Sequence, residues 1–372
     1  MNVTGFSDLR QAPLDTLTSF RFIAALLVFL HHAGIGLHYR FGYMGVSFFF
    51  LLSGFILTYK YSGSFHTLEA RRLVAFYTAR IAKIYPIHIL TFLAAVPYYF
   101  FIPLSHEPVL YVFQAASNLL LIHSFIPFGN ISFNGVSWSL SDELFFYMLF
   151  PPALYAVLRR ASSRLKLGLA VTLAWLLLAL VFSFLPPGSE QVVWLAYYFP
   201  LTRFLEFFAG IVLALLFLEH RQRLERLSRG CFTCIEVLAI LLLAGAVLGS
   251  PHMPPNLRYG LLYLPFWCLI IMVFAFQRGL LSGLARNRLL VYFGQTSFSF
   301  YMIHNLILSY VYYLWKPDIH RALLIMGCLG LAMMISSLLY HWYEEPMRKK
   351  VIRYAAKKRE RASGRQAADS AA

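Results

Sequence analysis

An arginine and two histidines share one short apolar stretch near the start of the chain, LDTLTSFRFIAALLVFLHH (14–32). Arg21 and His32 are eleven positions apart. At about 100° per residue that is three turns and about 20°, so a helix puts both on one face, roughly 16 Å apart along its axis. His31 points about 100° away and falls to a packing or interfacial role. Ionisable groups inside an apolar span are costly, face other protein, and mark function. An imidazole there offers a lone pair for general-base or nucleophilic chemistry. A partner is available in VSWSLSDELFFYMLF (136–150), which carries Asp142, Glu143 and, one turn from Glu143, Tyr147. If this segment crosses in the opposite sense to the first, Glu143 lies at a depth similar to His32. The pair then either activates the imidazole or holds the bundle together.

Other charged or polar sets sit in comparable runs. Arg80 and Lys83 in RIAKIYP (80–86) are at i and i+3. They could hold an anionic cofactor such as the phosphates of coenzyme A, or be membrane-edge charges that enforce topology. Arg203 and Glu206, followed by Gly210, read as a structural ion pair or as part of an acceptor site. Gly42, Gly45, Ser53 and Gly54 form a packing seam or touch substrate. Ser297, Ser299, Tyr301 and His304 share one span, with His304 read as a satisfied core residue. Glu344-Glu345-Pro346 reads as helix termination. Cys231-x-x-Cys234 has no second pair, and no metal site is expected. Tyr98, Tyr99 and Phe100 fit sugar stacking but fit an interfacial aromatic belt better.

Positioning these residues requires a membrane. Of 372 residues, 59% are hydrophobic and only 13% charged, far from soluble usage. The net charge of +16 comes in short basic clusters between apolar runs, the pattern of the positive-inside rule and not of a nucleic-acid surface. The expected fold is an all-α polytopic membrane bundle of about ten transmembrane helices with both termini cytoplasmic. The expected spans are 16–37, 43–60, 84–103, 136–158, 167–185, 198–218, 232–249, 259–276, 290–314 and 322–343. The first is kept as a mature helix, because Arg21 interrupts it and no small-residue cleavage site follows. The leftover apolar run 109–126 is read as interfacial or re-entrant, an external lid or floor. A membrane domain over 1–347 is followed by a basic cytoplasmic tail, 348–372, expected to be disordered. No internal repeat is evident, which weakens the rival reading, a glycolipid transporter or flippase.

The set of motifs resembles the acyltransferase-3 family of integral membrane O-acyltransferases over about residues 12–348. It comprises Arg21 with His32, GVSFFFLLSGF (45–55), RIAKIYP (80–86), WSLSDELFFY (138–147), RFLEFFAG (203–210), SFSFYMIH (297–304) and EEP. The resemblance implies transfer of an acyl group, usually acetyl, from cytoplasmic acyl-coenzyme A to a hydroxyl of a sugar on a lipid-linked or exported glycan. It implies a multi-pass protein of the bacterial inner membrane, with acyl-coenzyme A as co-substrate and no permanently bound cofactor. Carried over by position, His32 is the catalytic histidine and Arg21 its motif partner, grouped with Arg80 and Lys83 in donor binding. Glu143 and Tyr147 complete the centre, and Trp138, Ser139, Arg203 and Glu206 are placed with the substrate. Lys83 departs from the family's usual arginine and lacks the bidentate fork, which weakens the expected phosphate geometry. Some members carry a C-terminal hydrolase-like domain. Here a basic tail takes that place, so such a partner would be a separate protein.

Overall fold

A computed structural model describes residues 12–101, 107–127, 131–160, 163–312 and 320–369, with the side chains of 100, 101 and 360–369 left out. Phe100 and residues 102–103, 313–314 and 370–372 of the expected segments thus lie outside the described side chains or residues. The chain is an all-α polytopic membrane bundle, without a strand among the described residues.

The first half comprises α1 (Asp15–His32), α2 (Phe41–Tyr61), α3 (Ala70–Phe101), α4 (Pro108–Leu119), α5 (Trp138–Arg160), α6 (Arg164–Phe184) and α7 (Glu190–Val193). The second comprises α8 (Pro200–Leu224), α9 (Arg229–Gly249), α10 (Leu264–Phe274), α11 (Leu280–Ala285), α12 (Arg288–Tyr310), α13 (Arg321–Leu339) and α14 (Glu345–Asp369). Each of the ten expected spans contains a helix. Six helical stretches are long and apolar enough to cross a bilayer by length and composition: Phe41–Tyr61, Ala70–Tyr99, Arg164–Phe184, Glu190–Leu224, Arg229–His252 and Arg321–Arg359. Of the helices in the expected spans, α10 is too short for that set, and α1, α5 and α12, which carry Arg21, Asp142, Glu143 and Arg288, also fall outside it. The leftover apolar run forms α4, whose twelve residues span about 18 Å, too short for a hydrocarbon core of about 30 Å.

The bundle is built around α2, buried along most of its length between α1 and α8. Gly54 on α2 and Gly210 on α8 make this possible. A Cβ at Gly54 would strike the Phe207 carbonyl, and one at Gly210 the Leu51 carbonyl, so the two backbones meet directly. The seam expected from the small residues of α2 is therefore a packing seam, except at Ser53, which lines a cavity. Around it lie helices with exposed apolar faces, such as Leu165, Leu169, Leu173, Leu176 and Leu180 of α6; in a bilayer such a face meets lipid. The basic segment after 348, expected to lack fixed structure, continues as helix α14 to Asp369. Its Ala-, Lys-, Arg- and Glu-rich composition has high helix propensity.

Candidate active site

Five of the central helices line a cavity of about 180 Å³. Its polar lining is Arg21 from α1, Ser53 from α2, Arg80 and Lys83 from α3, Ser139, Glu143 and Tyr147 from α5, and Ser297 and Tyr301 from α12. Phe49, Phe50, Ile56 and Phe298 supply apolar walls. Nine residues singled out from the sequence thus meet in one hollow: Arg21, Ser53, Arg80, Lys83, Ser139, Glu143, Tyr147, Ser297 and Tyr301. The cations are not equivalent. Lys83 forms an ion pair with Glu344, which is 1% exposed and also accepts the Ser299 hydroxyl at 2.5 Å. Arg21 and Arg80 make no ion pair among the described residues, and the Arg80 Nε is buried with no acceptor. Two guanidinium groups without a direct ion-pair partner, sharing the cavity with the single carboxylate of Glu143, leave a positive excess that suits an anionic ligand. Glu143 accepts the Tyr147 hydroxyl at 3.1 Å.

His32 stands elsewhere. Its Nδ1 is 2.9 Å from Nε2 of His304 on α12, and it is exposed at the end of α1. No hydrogen bond joins it to Glu143 among the described residues, so the expected His32–Glu143 pairing is corrected: the imidazole's partner is a second imidazole. The reason lies just before α5. Residues Ser132, Phe133, Asn134, Val136 and Ser137 are buried without being helical, and Asn134 donates from Nδ2 to the Met302 carbonyl at 2.8 Å. The chain is already inside the bundle when α5 begins, so Glu143 comes level with Arg80 and Lys83 and not with His32.

The protons of the histidine pair can be placed from their partners. His304 Nδ1 faces the carbonyls of Tyr301 at 2.7 Å and Phe300 at 3.3 Å. Carbonyls only accept, so Nδ1 carries a proton and the neutral ring has its lone pair on Nε2. His32 Nδ1 must then donate across the 2.9 Å contact. That leaves the lone pair of His32 on Nε2, with the Val28 carbonyl, one turn earlier on α1, as a further acceptor for the ring's N–H. The pair adjoins the cavity through Tyr301, which lies one turn before His304 and lines the hollow. Ser139 donates to the Val136 carbonyl at 3.0 Å and receives the Tyr301 hydroxyl at 2.8 Å.

Three further expectations change. Arg203 and Glu206 are 2% and 1% exposed and form an ion pair at 3.0 Å. Arg203 also donates to the Tyr259 carbonyl at 2.7 Å, and Ser47 bridges the two, accepting from Arg203 and donating to Glu206. Gly260, at φ 142°, has no room for a Cβ against them. Of the two readings left open, the structural ion pair is the one this geometry supports: it ties α8 to α2 and to the turn at Pro255–Tyr259. Trp138 is buried among Tyr197, Tyr198 and Phe50, behind the cavity wall and not on it. Glu344 is a buried counter-ion at a π-helical turn, Tyr340–Glu344, and not a mere helix end. Its signal was an acidic residue closing an apolar span. His304 had the same kind of signal, an imidazole inside an apolar run. His31 packs over Gly42 and Tyr43, as expected.

A membrane bundle with ionisable groups converging on an internal cavity, and an exposed lone-pair imidazole at its edge, has the parts of a group-transfer enzyme embedded in lipid. The family model described as an acyltransferase domain matches residues 14–342, and the chain belongs to that family, acyltransferase-3; it is an acyltransferase. It is 30% identical over 374 residues to Acyltransferase MdmB of Streptomyces mycarofaciens, covering 91% of this chain and 92% of the relative. It is 24% identical over 355 residues to the peptidoglycan O-acetyltransferase OatA of Listeria monocytogenes, covering 90% of this chain but 56% of that protein. No solved structure matches it.

Proposed function

We propose that the protein moves an acyl group, in the first instance acetyl, from acyl-coenzyme A to a sugar hydroxyl of a lipid-linked or exported glycan. In this reading it sits in the bacterial inner membrane, and the donor enters from the cytoplasm. The observation that carries the reading is the pair Arg21 and Arg80, charged and unpaired in a cavity whose far end adjoins the His304-oriented His32. The guanidinium groups hold the donor's phosphates, while Lys83, neutralised by Glu344, shapes the wall. The thioester arm then runs along α1 toward His32, a separation of roughly 16 Å from Arg21.

At His32, Nε2 takes the proton of the acceptor hydroxyl as its oxygen attacks the thioester carbonyl. The carbon–sulfur bond breaks, and the imidazolium returns the proton to the leaving thiolate. His304 accepts from Nδ1 throughout and stabilises the imidazolium, the part played by a third group in other base-activated transfers. Membership of an acyltransferase family favours this over the transporter reading. The test compares glycan acylation by mass spectrometry in cells carrying the parent chain or His32→Ala. Loss of acylation with the protein still in the membrane is expected, and equal acylation by both refutes the assignment. Quenched parent protein lacking an acyl adduct on His32 would separate general-base action from a covalent acyl-imidazole.

A further inference from the structure

Beside the histidine pair, four tyrosines from three parts of the chain form a cup. Tyr43 comes from the first turn of α2, Tyr197 and Tyr198 from a π-helical turn at Trp194–Tyr198, and Tyr259 from the turn at Pro255–Tyr259. The Tyr43 ring centre is 4.3 Å from that of Tyr197 and 5.2 Å from that of Tyr259, and Tyr197 and Tyr198 are 4.8 Å apart. Trp138 closes the back at 4.5 Å from Tyr197. The cup touches the catalytic end directly, since the His31 ring lies 5.2 Å from Tyr43 and 5.9 Å from His32.

Buried tyrosine hydroxyls normally find a partner, and elsewhere in this protein they do. Tyr147 donates to Glu143, Tyr263 to the Tyr39 carbonyl, Tyr310 to the Ala94 carbonyl, and Tyr301 is tied to Ser139. In the cup none of the four hydroxyls makes a hydrogen bond among the described residues. Tyr197 and Tyr259 nonetheless bury their rings to 7% and 6% exposure. None of these oxygens is among the sealed, partnerless polar atoms of the interior, so each opens to accessible space. Four uncommitted hydroxyls set in an aromatic wall suit a ligand that offers several hydroxyls and an apolar edge or face. An aromatic cage for a cationic ligand has similar walls. Here the cation's seat is occupied, because the Arg40 guanidinium lies 4.2 Å over Tyr259 and 5.3 Å from Tyr43, and Arg203 lies 5.3 Å from Tyr197.

From this we infer that the Tyr43–Tyr197–Tyr198–Tyr259 cup is the acceptor subsite, and that it takes a neutral or anionic sugar ring, held against the aromatic wall and hydrogen-bonded through the tyrosine hydroxyls. The inference rests on the acyl-transfer reading for its role, but the binding it asserts stands apart. The test is titration of a soluble N-acetylglucosamine oligosaccharide into the purified full chain, parent against Tyr43→Phe/Tyr198→Phe, which deletes two oxygens and keeps both rings. Each lost neutral hydrogen bond is expected to weaken sugar affinity about 2- to 13-fold, with affinity for a non-hydrolysable acyl-coenzyme A analogue unchanged as the check on folding. Undetectable sugar binding by the parent, or equal affinity in the double variant, overturns the assignment. If the variant binds sugar more weakly than the parent, yet the parent moves no acyl group from acyl-coenzyme A to that sugar, the cup stands and the proposed donor–acceptor reading falls.

Discussion

Replacing His304 should cripple transfer without touching the cavity that holds the donor. The hydrogen bond from His32 Nδ1 to His304 Nε2 is 2.9 Å long, and two roles are lost with it. As an interaction between neutral groups it is worth about 0.5–1.5 kcal/mol, or about 2- to 13-fold in rate if its full strength is felt only in the transition state. Tautomer control adds more. Without His304 only the Val28 carbonyl remains to hold the proton on Nδ1, and His32 more readily carries it on Nε2, where the acceptor hydroxyl must deliver its own; in serine proteases the equivalent error costs about 10⁴-fold. The ceiling is the whole contribution of a general base, about 10²- to 10⁴-fold, which is the loss expected for His32→Ala. His304→Phe keeps a ring among Phe29 and Phe300 and removes the acceptor, so kcat should fall between those limits with donor KM unchanged. His304→Gln restores an acceptor oxygen near the former Nε2 and should recover most of the loss. The assay is thiol release from acetyl-coenzyme A by purified protein with a sugar acceptor. Parent-like kcat for His304→Phe, or no recovery in His304→Gln when both bind donor normally, refutes the reasoning.

Neutralising either unpaired guanidinium, Arg21→Gln or Arg80→Gln, should raise donor KM roughly 10- to 150-fold, the worth of one charged hydrogen bond; an unchanged KM would remove that arginine from donor binding. At the Lys83–Glu344 pair, Glu344→Leu leaves the partly buried Lys83 ammonium without its counter-ion and should lower stability by at most about 3–5 kcal/mol, whereas Lys83→Met/Glu344→Leu should be near parent level. Detergent-resistant folded fraction on heating reports this, and a double variant as unstable as the single one contradicts the pairing. Gly54→Val forces side-chain atoms into the Phe207 carbonyl, so about 1–3 kcal/mol of overpacking should appear as reduced membrane accumulation. Parent-like accumulation would show that the α2–α8 seam can open.

What could be read from the sequence was the set of charged and polar residues that the bundle gathers, because an ionisable group in an apolar run has few places to go. Arg21 and Glu143 stand out on that ground, Arg80 and Lys83 as an i, i+3 cation pair that the family resemblance assigns to the donor, and one cavity receives them together with Tyr147. Depth was not legible in the same way. Counting residues from a span's end assumes that the helix starts at the membrane surface, and the buried, non-helical stretch ahead of α5 breaks that assumption by several residues. Partners distant in sequence were hidden for a related reason. Lys83 and Glu344 are 261 positions apart and His32 and His304 are 272 apart, so neither pairing leaves a local pattern.

The aromatic cup was beyond reach altogether, since its tyrosines look like ordinary interfacial residues until their unbonded hydroxyls are seen together. These failures of depth and pairing share one consequence for the chemistry. Because Glu143 lies with the donor cations and His304 with His32, the protein separates the charges that would bind the donor from the neutral imidazole that would take a proton. A carboxylate on His32 would raise the imidazole's basicity and draw a proton onto it before an acceptor arrived. A neutral imidazole partner fixes the same tautomer without adding a negative charge, and leaves Nε2 unprotonated beside the tyrosine cup.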